Sequence, residues 1–299
     1  MDLRQMKYFL ALCEELNFTR AAERLHMAQP PLTRQIRALE DELGTPLFVR
    51  TPKGVELTAA GQALRDDVPT ILSLAQRARE RTQRAGQGLV GQIDVGLFGS
   101  GVLDVIPRLL ATFHQARPEV RIELHNLTKE EQLQALRERR LTLGFNRLVP
   151  PEPGIGVLTV LQEKLVVGLP ETHPLCAQPE LSLRELDGVP MIVYPNAPLH
   201  GLAQEVATAF HREGLRLNVV QAVEDVLTCV ALVAGGFGAC ITTQSATSLR
   251  LPGVVYRPLR SRFLRDIELS CLYRKDDSSP VLAAFLDVVR AFAAAQKAH

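Results

Sequence analysis

Tryptophan is absent from this chain, and aromatic residues of every kind make up only 5% of it. That excludes the ring-lined platforms on which single-stranded nucleic acids stack. The cysteines Cys13, Cys176, Cys229, Cys240 and Cys271 are odd in number and form no C-x-x-C pair. A zinc finger and a disulfide framework are therefore excluded. No apolar run approaches the ~18 residues of a membrane-spanning helix. The polar start Met1-Asp2-Leu3-Arg4-Gln5 lacks the apolar core of a signal peptide, so a cytoplasmic protein without a membrane partner is expected. The seven histidines show no metal-ligand spacing and no Walker A sequence occurs; no metal and no cofactor are expected. Phe98-Gly99-Ser100-Gly101 carries Phe where the nucleophile pattern G-x-S-x-G needs Gly, so no catalytic residues are assigned and an enzyme is not expected. Net charge is scarce too. The formal value is +1, from 13 Lys/Arg against 11 Asp/Glu over residues 1–90 and 21 against 22 over the rest.

What is present is pattern. Hydrophobic residues are 46% and charged residues 22% of 299 residues, an ordinary balance for globular domains and enough chain for two or three. Leu3, Met6, Phe9, Leu10, Cys13 and Leu16 recur at helical spacing and predict an amphipathic helix over 3–16. Asn17 is placed to cap a second helix over 19–25 that turns Ala21, Ala22 and Leu25 inward. After a break at His26-Met27-Ala28, a third helix is expected from Gln29 to Leu43. Leu32, Ile36, Leu39 and Leu43 form its buried face, and Gly44 ends it. Pro30 and Pro31 fall in its first turn, where a missing N–H costs nothing.

Two helices joined by a tight turn make a helix-turn-helix. The free face of the third helix carries Gln29, Thr33, Arg34 and Arg37, which can reach base edges or phosphates in a major groove. Leu47-Phe48-Val49 and Val55-Glu56-Leu57 flank Arg50-Thr51-Pro52-Lys53-Gly54, a hairpin whose basic tip suits phosphate contact. Such a pattern also occurs in proteins that bind no DNA, and Arg34 and Arg37 also suit plain solvated positions. The hairpin and the helix that follows favour DNA. That helix runs from Ala59, after the capping Thr58, to about Arg84 and spans roughly 40 Å. Its stripe of Leu64, Val68, Ile71, Leu72, Leu74, Ala75 and Ala78 is expected to pack on a second copy, with Pro69 bending it. Gly86-Gln87-Gly88 and Gly91 then form a joint.

From Gln92 onward, strands alternate with helices. Strands at 93–97, 120–126 and 143–146, with helices at 102–116 and 129–139, predict a parallel α/β unit. Strands at 165–169, 191–194, 219–222 and 239–241, with helices at 199–213 and 226–234, predict another. A strand at 267–273 and a helix at 280–297 close the chain. The expected class is an α/β domain preceded by an all-α winged helix-turn-helix domain and a long linker helix.

Phe18-Thr19-Arg20-Ala21-Ala22-Glu23-Arg24-Leu25, Gln29-Pro30, Leu39-Glu40, Leu43-Gly44, Leu47-Phe48-Val49-Arg50, Gly54, Leu57-Thr58 and Ala60-Gly61 stand in a long ordered pattern. It resembles the winged helix-turn-helix of LysR-type transcriptional regulators, and the likeness extends more loosely over the whole chain. The resemblance implies a DNA-binding domain at 1–58, a dimerising helix and hinge at 59–88, and an effector-binding domain at 89–299. The last would have two periplasmic-binding-protein-like halves, about 89–161 with 267–299 and about 162–266, around a cleft. It further implies double-stranded promoter DNA as partner, a homo-oligomer built as a dimer of dimers, an activator's output and RNA polymerase as a further partner. Arg20, Gln29, Pro30, Thr33, Arg34, Arg37, Arg50 and Lys53 form the expected DNA-contacting set. One departure is Ala28, where the family often has Ser, which removes a helix cap and a phosphate ligand.

Ligands of open parallel sheets sit beyond the carboxyl ends of the strands. Ser100, Thr128 and Arg147 follow three such ends, and Ser100 and Thr128 also precede helices with free N–H groups. Two hydroxyls and a guanidinium there would suit a carboxylate. Phe98, Leu202 and Val226 offer an apolar slab, and Asn146 and Pro195 complete the expected effector-binding set. Each polar residue has a plainer use: Thr128 with Glu131 is a capping box, Ser100 suits a cap and Arg147 a surface pair. Phe98-Gly99-Ser100, Thr128-Lys129-Glu130-Glu131-Gln132, Gly144-Phe145-Asn146-Arg147, Tyr194-Pro195 and Val223-Glu224-Asp225 resemble most the muconate- and chloromuconate-responsive regulators of aromatic catabolism. In that subgroup the positions of Ser100, Thr128 and Arg147 bind effector carboxylates; an aromatic residue is common where Leu202 stands. A thiol-based redox sensor of the same family is the alternative. Nothing basic in sequence surrounds Cys229 or Cys240 to make a reactive thiolate.

Overall fold

The computed structural model describes residues 1–51, 54–195 and 201–297. Pro52 and Lys53 of the hairpin tip, and 196–200, which include His200, lie outside them. The chain divides into two compact units, Met1–Gln83 and Arg84–His299.

The first unit holds α1 (Leu3–Glu15), α2 (Phe18–Arg24), α3 (Gln29–Leu43), the antiparallel hairpin β1 (Phe48–Thr51) and β2 (Gly54–Leu57), and most of α4 (Ala59–Gly86). The Asn17 side chain accepts from the N–H groups of Thr19 and Arg20 at 2.9 and 3.1 Å, which fixes the start of α2. Phe9, Leu12, Ala21, Leu32, Ile36, Leu39 and Leu47 are buried together, with the Phe9 and Phe48 rings 5.4 Å apart. Glu40 on α3 accepts from the backbone N–H groups of Leu47 and Phe48 at 2.8 and 3.2 Å. That carboxylate holds the hairpin against α3, which is a physical use for Glu40 within the family pattern.

Two expectations change here. Ala28 does occupy the N-cap of α3 with no side-chain bond. Yet a cap oxygen bonds the N–H of the second or third helical residue, and those are Pro30 and Pro31, which have none. Ala28 therefore sacrifices no cap. The stripe of α4 is also not reserved for a second copy. Val68 is fully buried, and Leu64, Ile71 and Leu72 pack on the same core as α1 and α3. Burying a valine contributes about 1.5–3 kcal/mol, so the first half of α4 belongs to this unit. Gly61 makes the fit possible: a Cβ there would lie 2.1 Å from the Leu47 carbonyl oxygen. Farther on, Leu74 and Ala78 are exposed.

In the second unit, β3 (Gly91–Leu97), a 3₁₀ turn at Ser100–Leu103, α5 (Val105–Ala116), β4 (Val120–Asn126), α6 (Lys129–Arg137), β5 (Leu143–Arg147) and β6 (Ile155–Glu163) build one half. The chain crosses at Lys164 into β7 (Leu165–Pro170), β8 (Leu181–Ser182), β9 (Pro190–Val193), α7 (Leu202–Arg212), β10 (Asn218–Ala222), α8 (Val226–Ala234), β11 (Cys240–Thr243) and β12 (Val254–Arg260). It returns as β13 (Ile267–Arg274) and α9 (Pro280–Lys297). The sheets run β4-β3-β5-β13-β6 in the first half, and β11-β7-β12-β8 with the pair β10-β9 in the second.

Neither half is all-parallel as expected. β13 runs antiparallel to β5 and β6, and β7 antiparallel to β11 and β12. The reading also passed over β6 and β12. A strand's own residues do not state its direction, and a strand that returns from the other half pairs where the crossover sets it down. The parallel part, β4-β3-β5, remains, and it aligns the ends that matter. Phe113, Phe145 and Phe285 fill the first core, with ring centroids of Phe113 and Phe285 5.0 Å apart. Val167, Leu169, Met191, Phe210 and Val230 fill the second. Gly86-Gln87-Gly88-Leu89-Val90-Gly91 has the spacing G-x-G-x-x-G, but it leads from a helix into β3. A dinucleotide site needs the reverse order.

Candidate functional site

In the first unit, Leu32, Ile36 and Leu39 point α3 into the core, which turns Gln29, Pro30, Arg34 and Arg37 to solvent and leaves Thr33 half-buried. Thr33, Arg37 and Arg50 border one shallow concavity with Phe18 and Glu40, between α3 and the hairpin. The Arg50 guanidinium lies over the Phe18 ring, 6.0 Å from its centroid, and so is steered toward the α3 side. The Thr19 hydroxyl donates to Gln29 Oε1 at 3.5 Å. Arg20 is tethered instead: its Nη2 donates to the Glu15 carbonyl at 2.6 Å, and its Nε lies 3.6 Å from the Glu15 carboxylate. Lys53 falls outside the described residues. The outcome is a rod with polar and basic side chains along one face and a basic hairpin beside it.

In the second unit, Ser100 and Thr128 follow the ends of β3 and β4, and Arg147 ends β5. These three strands are neighbours in the sheet, so their ends are adjacent. A cavity of about 50 Å³ opens there, between the two halves. Phe98, Ser100, Asn146, Arg147, Pro195 and Leu202 all line it; Thr128 and Val226 do not. Thr128 is engaged in the capping box with Glu131, its Oγ1 donating to Glu131 Oε2 at 3.0 Å and accepting from the Glu131 N–H at 3.3 Å. Val226 is buried in the second core. Ser100 does not cap an α-helix: it opens the 3₁₀ turn after Gly99, whose φ of 72° suits glycine.

Polar contacts cross the cleft. The Ser100 and Thr243 hydroxyls are 2.7 Å apart. Arg147 Nη2 pairs with the Glu163 carboxylate and lies 3.5 Å from Ser100 Oγ. The other oxygen of Glu163 accepts from the Ser245 N–H at 2.7 Å and from its hydroxyl. Arg147 and Glu163 side chains are only 15% and 3% exposed, so this is a buried pair, fixed from both halves. Among the described residues, two donors on the wall have no partner: Asn146 Nδ2 and Arg147 Nη1 are both buried and unsatisfied. A buried donor left unmade costs about 1–3 kcal/mol, and an acceptor-rich occupant would recover it. The Asn146 amide is held in place because its Oδ1 accepts from the Arg147 N–H at 3.0 Å.

Sequence reasoning passed over Lys129, Thr243 and Glu224 on the wall and Glu163 behind it. Lys129 had a signal: a cation in the first turn of a helix opposes the macrodipole. Glu163 had none, since nothing local in its strand shows that Arg147 faces it. Cys229 and Cys240 have the surroundings of packed core residues. Both are buried, and the hydrogen bond that the neutral Cys229 thiol makes with Cys240, together with burial, pushes the Cys229 thiol far above its ordinary value. A rise in that direction works against the thiolate that redox sensing requires.

Two family descriptions match the chain: a bacterial regulatory helix-turn-helix protein of the lysR family over residues 3–62, and a LysR substrate binding domain over residues 86–294. The HTH-type transcriptional regulator TcbR of Pseudomonas sp. (strain P51) is 34% identical over 290 residues, which cover 97% of this chain and 98% of that protein. The crystal structure of CbnR, a LysR family transcriptional regulator, is 34% identical with a TM-score of 0.87, covering 97% of this chain and all of that one; CbnR has also been solved in complex with its target DNA. The BenM effector binding domain with its effector benzoate is 27% identical with a TM-score of 0.63, covering 69% of this chain and 94% of that one. The chain belongs to the LysR family of DNA-binding transcriptional regulators, and it is a regulator rather than an enzyme.

Proposed function

We propose that this regulator responds to a small carboxylate, a muconate or an aromatic acid, held in the cavity between the halves of its second unit. The observation that carries the reading is the pair of buried, unsatisfied donors, Asn146 Nδ2 and Arg147 Nη1, beside the Ser100 hydroxyl. Donors without acceptors call for an anion, and Phe98 and Leu202 supply the apolar remainder of the wall. Support also comes from BenM, a relative whose effector is benzoate, and from the resemblance to muconate-responsive regulators. The cavity is small beside the ~300–1,000 Å³ usual for ligand sites. An organic acid entering it must therefore part the walls and exchange contacts such as Ser100–Thr243. Only a ligand that favours one arrangement of the halves can shift the protein between states, and this exchange provides the difference.

On DNA, Gln29 and Thr33 read base edges while Arg34, Arg37, Arg50 and Lys53 hold phosphates, with Pro30 at the groove floor and Arg20 released from Glu15 to reach the backbone. Two chains pair so that two α3 helices face successive major grooves, and two such pairs form the functional oligomer. The acid-bound form activates transcription with RNA polymerase. The test is a thermal-shift screen of benzoate, cis,cis-muconate and chloromuconates on the full chain, followed by calorimetry of each hit. Saturable binding of at least one acid is expected. A wild-type protein that binds none of these carboxylates overturns the reading.

A further inference from the structure

A separate concavity lies on the second half of the second unit and shares no wall residue with the cavity at the strand ends. Three segments meet there: β8 with the 3₁₀ turn at Leu183–Leu186, the last turn of α7, and the crossover from β12 toward β13. They bring Arg184, Arg212, Arg260 and Arg262 to one wall with a single carboxylate, Glu213. Residues 91–299 hold 21 Lys/Arg against 22 Asp/Glu. The gathering is therefore local, not a share of a general positive excess.

Little in the fold answers these charges. Arg260 Nε lies 3.6 Å from the Glu180 carboxylate, but both side chains are exposed and such a pair is worth little. Among the described residues, Arg184, Arg212 and Arg262 are in no ion pair. Arg212 suits the negative end of α7, and Arg262 lies over the Phe263 ring, 5.8 Å from its centroid. Neither contact neutralises a guanidinium. The Glu185 carboxylate, in the same turn as Arg184, is taken by the Ser182 N–H and hydroxyl. Ser261 holds the crossover in shape, its Oγ accepting from the N–H groups of Phe263 and Leu264 at 3.1 and 3.0 Å. That leaves the Ser261 O–H as a donor on the same wall.

Charge and room together identify an occupant. Four guanidiniums less one carboxylate leave a formal +3 on the wall. A terminal phosphate carries about −1.5 to −2 at neutral pH, and a bridging one adds about one more negative charge. Two linked phosphates therefore match the wall where one does not. Planar guanidiniums also meet phosphate oxygens two at a time. The concavity holds about 630 Å³, within the ~300–1,000 Å³ usual for ligand sites. That is far more than the phosphates fill, so an organic group accompanies them. A duplex backbone, the other source of such phosphates, is convex and spreads its charges along a line. A recess built from three segments suits a compact ligand.

We propose that this recess is a binding site for a small organic diphosphate, held by Arg184, Arg212, Arg260 and Arg262 with the Ser261 hydroxyl. It gives the regulator a second chemical input. Its place is on the crossover into β13, whose first residue, Ile267, lines the carboxylate cavity.

The test is calorimetry on the full chain with ADP, inorganic pyrophosphate, AMP and sulfate at matched ionic strength. Three proteins are used: wild type, an Arg184→Gln and Arg262→Gln double variant, and Arg34→Ala from the DNA-contacting face. Wild type should bind ADP and pyrophosphate saturably, and AMP and sulfate about tenfold or more weakly. The double variant should lose on the order of 10- to 100-fold in ADP affinity. Both positions are exposed, so it should keep the wild-type thermal transition and duplex binding. Arg34→Ala should bind ADP as wild type does. Wild type that binds neither diphosphate overturns the inference, as does a double variant that binds ADP unchanged. Equal loss in Arg34→Ala would place the diphosphate on the DNA-contacting face and also overturn it. A double variant with weaker duplex binding and a lower salt slope, beside wild type indifferent to ADP, would assign the arginines to duplex phosphates instead.

Discussion

Replacing Arg147 with Met should unsettle the second unit before any ligand is added. The substitution leaves Glu163, 3% exposed, as an uncompensated buried carboxylate. Breaking a buried pair from one side costs about 3–5 kcal/mol. Glu163 keeps the Ser245 N–H and hydroxyl as donors, so the lower end, about 3 kcal/mol, is expected. At roughly 2–4 °C per kcal/mol for a unit of this size, the thermal transition should fall by about 6–12 °C. Adding Glu163→Gln removes the stranded charge while its amide oxygen still accepts from Ser245. The double variant should then recover to within about 1 kcal/mol of wild type. Thermal and urea unfolding of wild type, both single variants and the double variant complete the cycle. Costs that simply add in the double variant would refute the reasoning, because they would show that Arg147 and Glu163 do not depend on each other.

Four other substitutions, all in the first unit, have expected outcomes. Gln29→Ala should relax base preference at one position by about 1–3 kcal/mol, whereas Arg34→Ala should weaken binding to all duplexes and lower the salt slope by about one; selection from random duplexes and salt titrations distinguish the two. Gly61→Ala gains helix propensity of about 1 kcal/mol, but its Cβ would meet the Leu47 carbonyl oxygen at 2.1 Å. Backbone must shift, so a net loss of stability and of duplex binding is expected, and an unchanged urea midpoint would contradict the packing account. Burial pushes the Cys13 thiol from 9.0 up to about 12. Folded chain therefore keeps a proton that unfolded chain releases, so stability present below pH ~9 is lost as pH rises toward 12. Cys13→Ala should flatten that alkaline decline in urea midpoints, and an identical slope would count against it.

The helix-turn-helix was legible because its signals are local. The Asn17 cap, the Pro30-Pro31 start and the Gly44 stop sit within a few residues of the boundaries they set, and α2 and α3 fall within one residue of expectation. The strands of the second unit were less so. β6 interrupts its apolar residues with Thr159, Gln162 and Glu163, which blurs its pattern, and β12 carries Pro258, which weakens a strand pattern. The cavity divides the same way. Phe98, Ser100, Asn146 and Arg147 are legible because strand ends are local features. Glu163, Thr243 and Ser245 come from crossover and opposite half, and only folding brings them to Arg147 and Ser100.

A carboxylate that altered this chain's grip on DNA would join the two units in one function. The most direct measurement selects duplexes from a random pool with the full chain, then footprints the enriched sequence with and without a saturating acid from the panel. A defined, enriched sequence whose protected span or cleavage pattern changes when the acid is added is expected. Absence of any enriched sequence, or an identical footprint with the acid bound, would contradict the account.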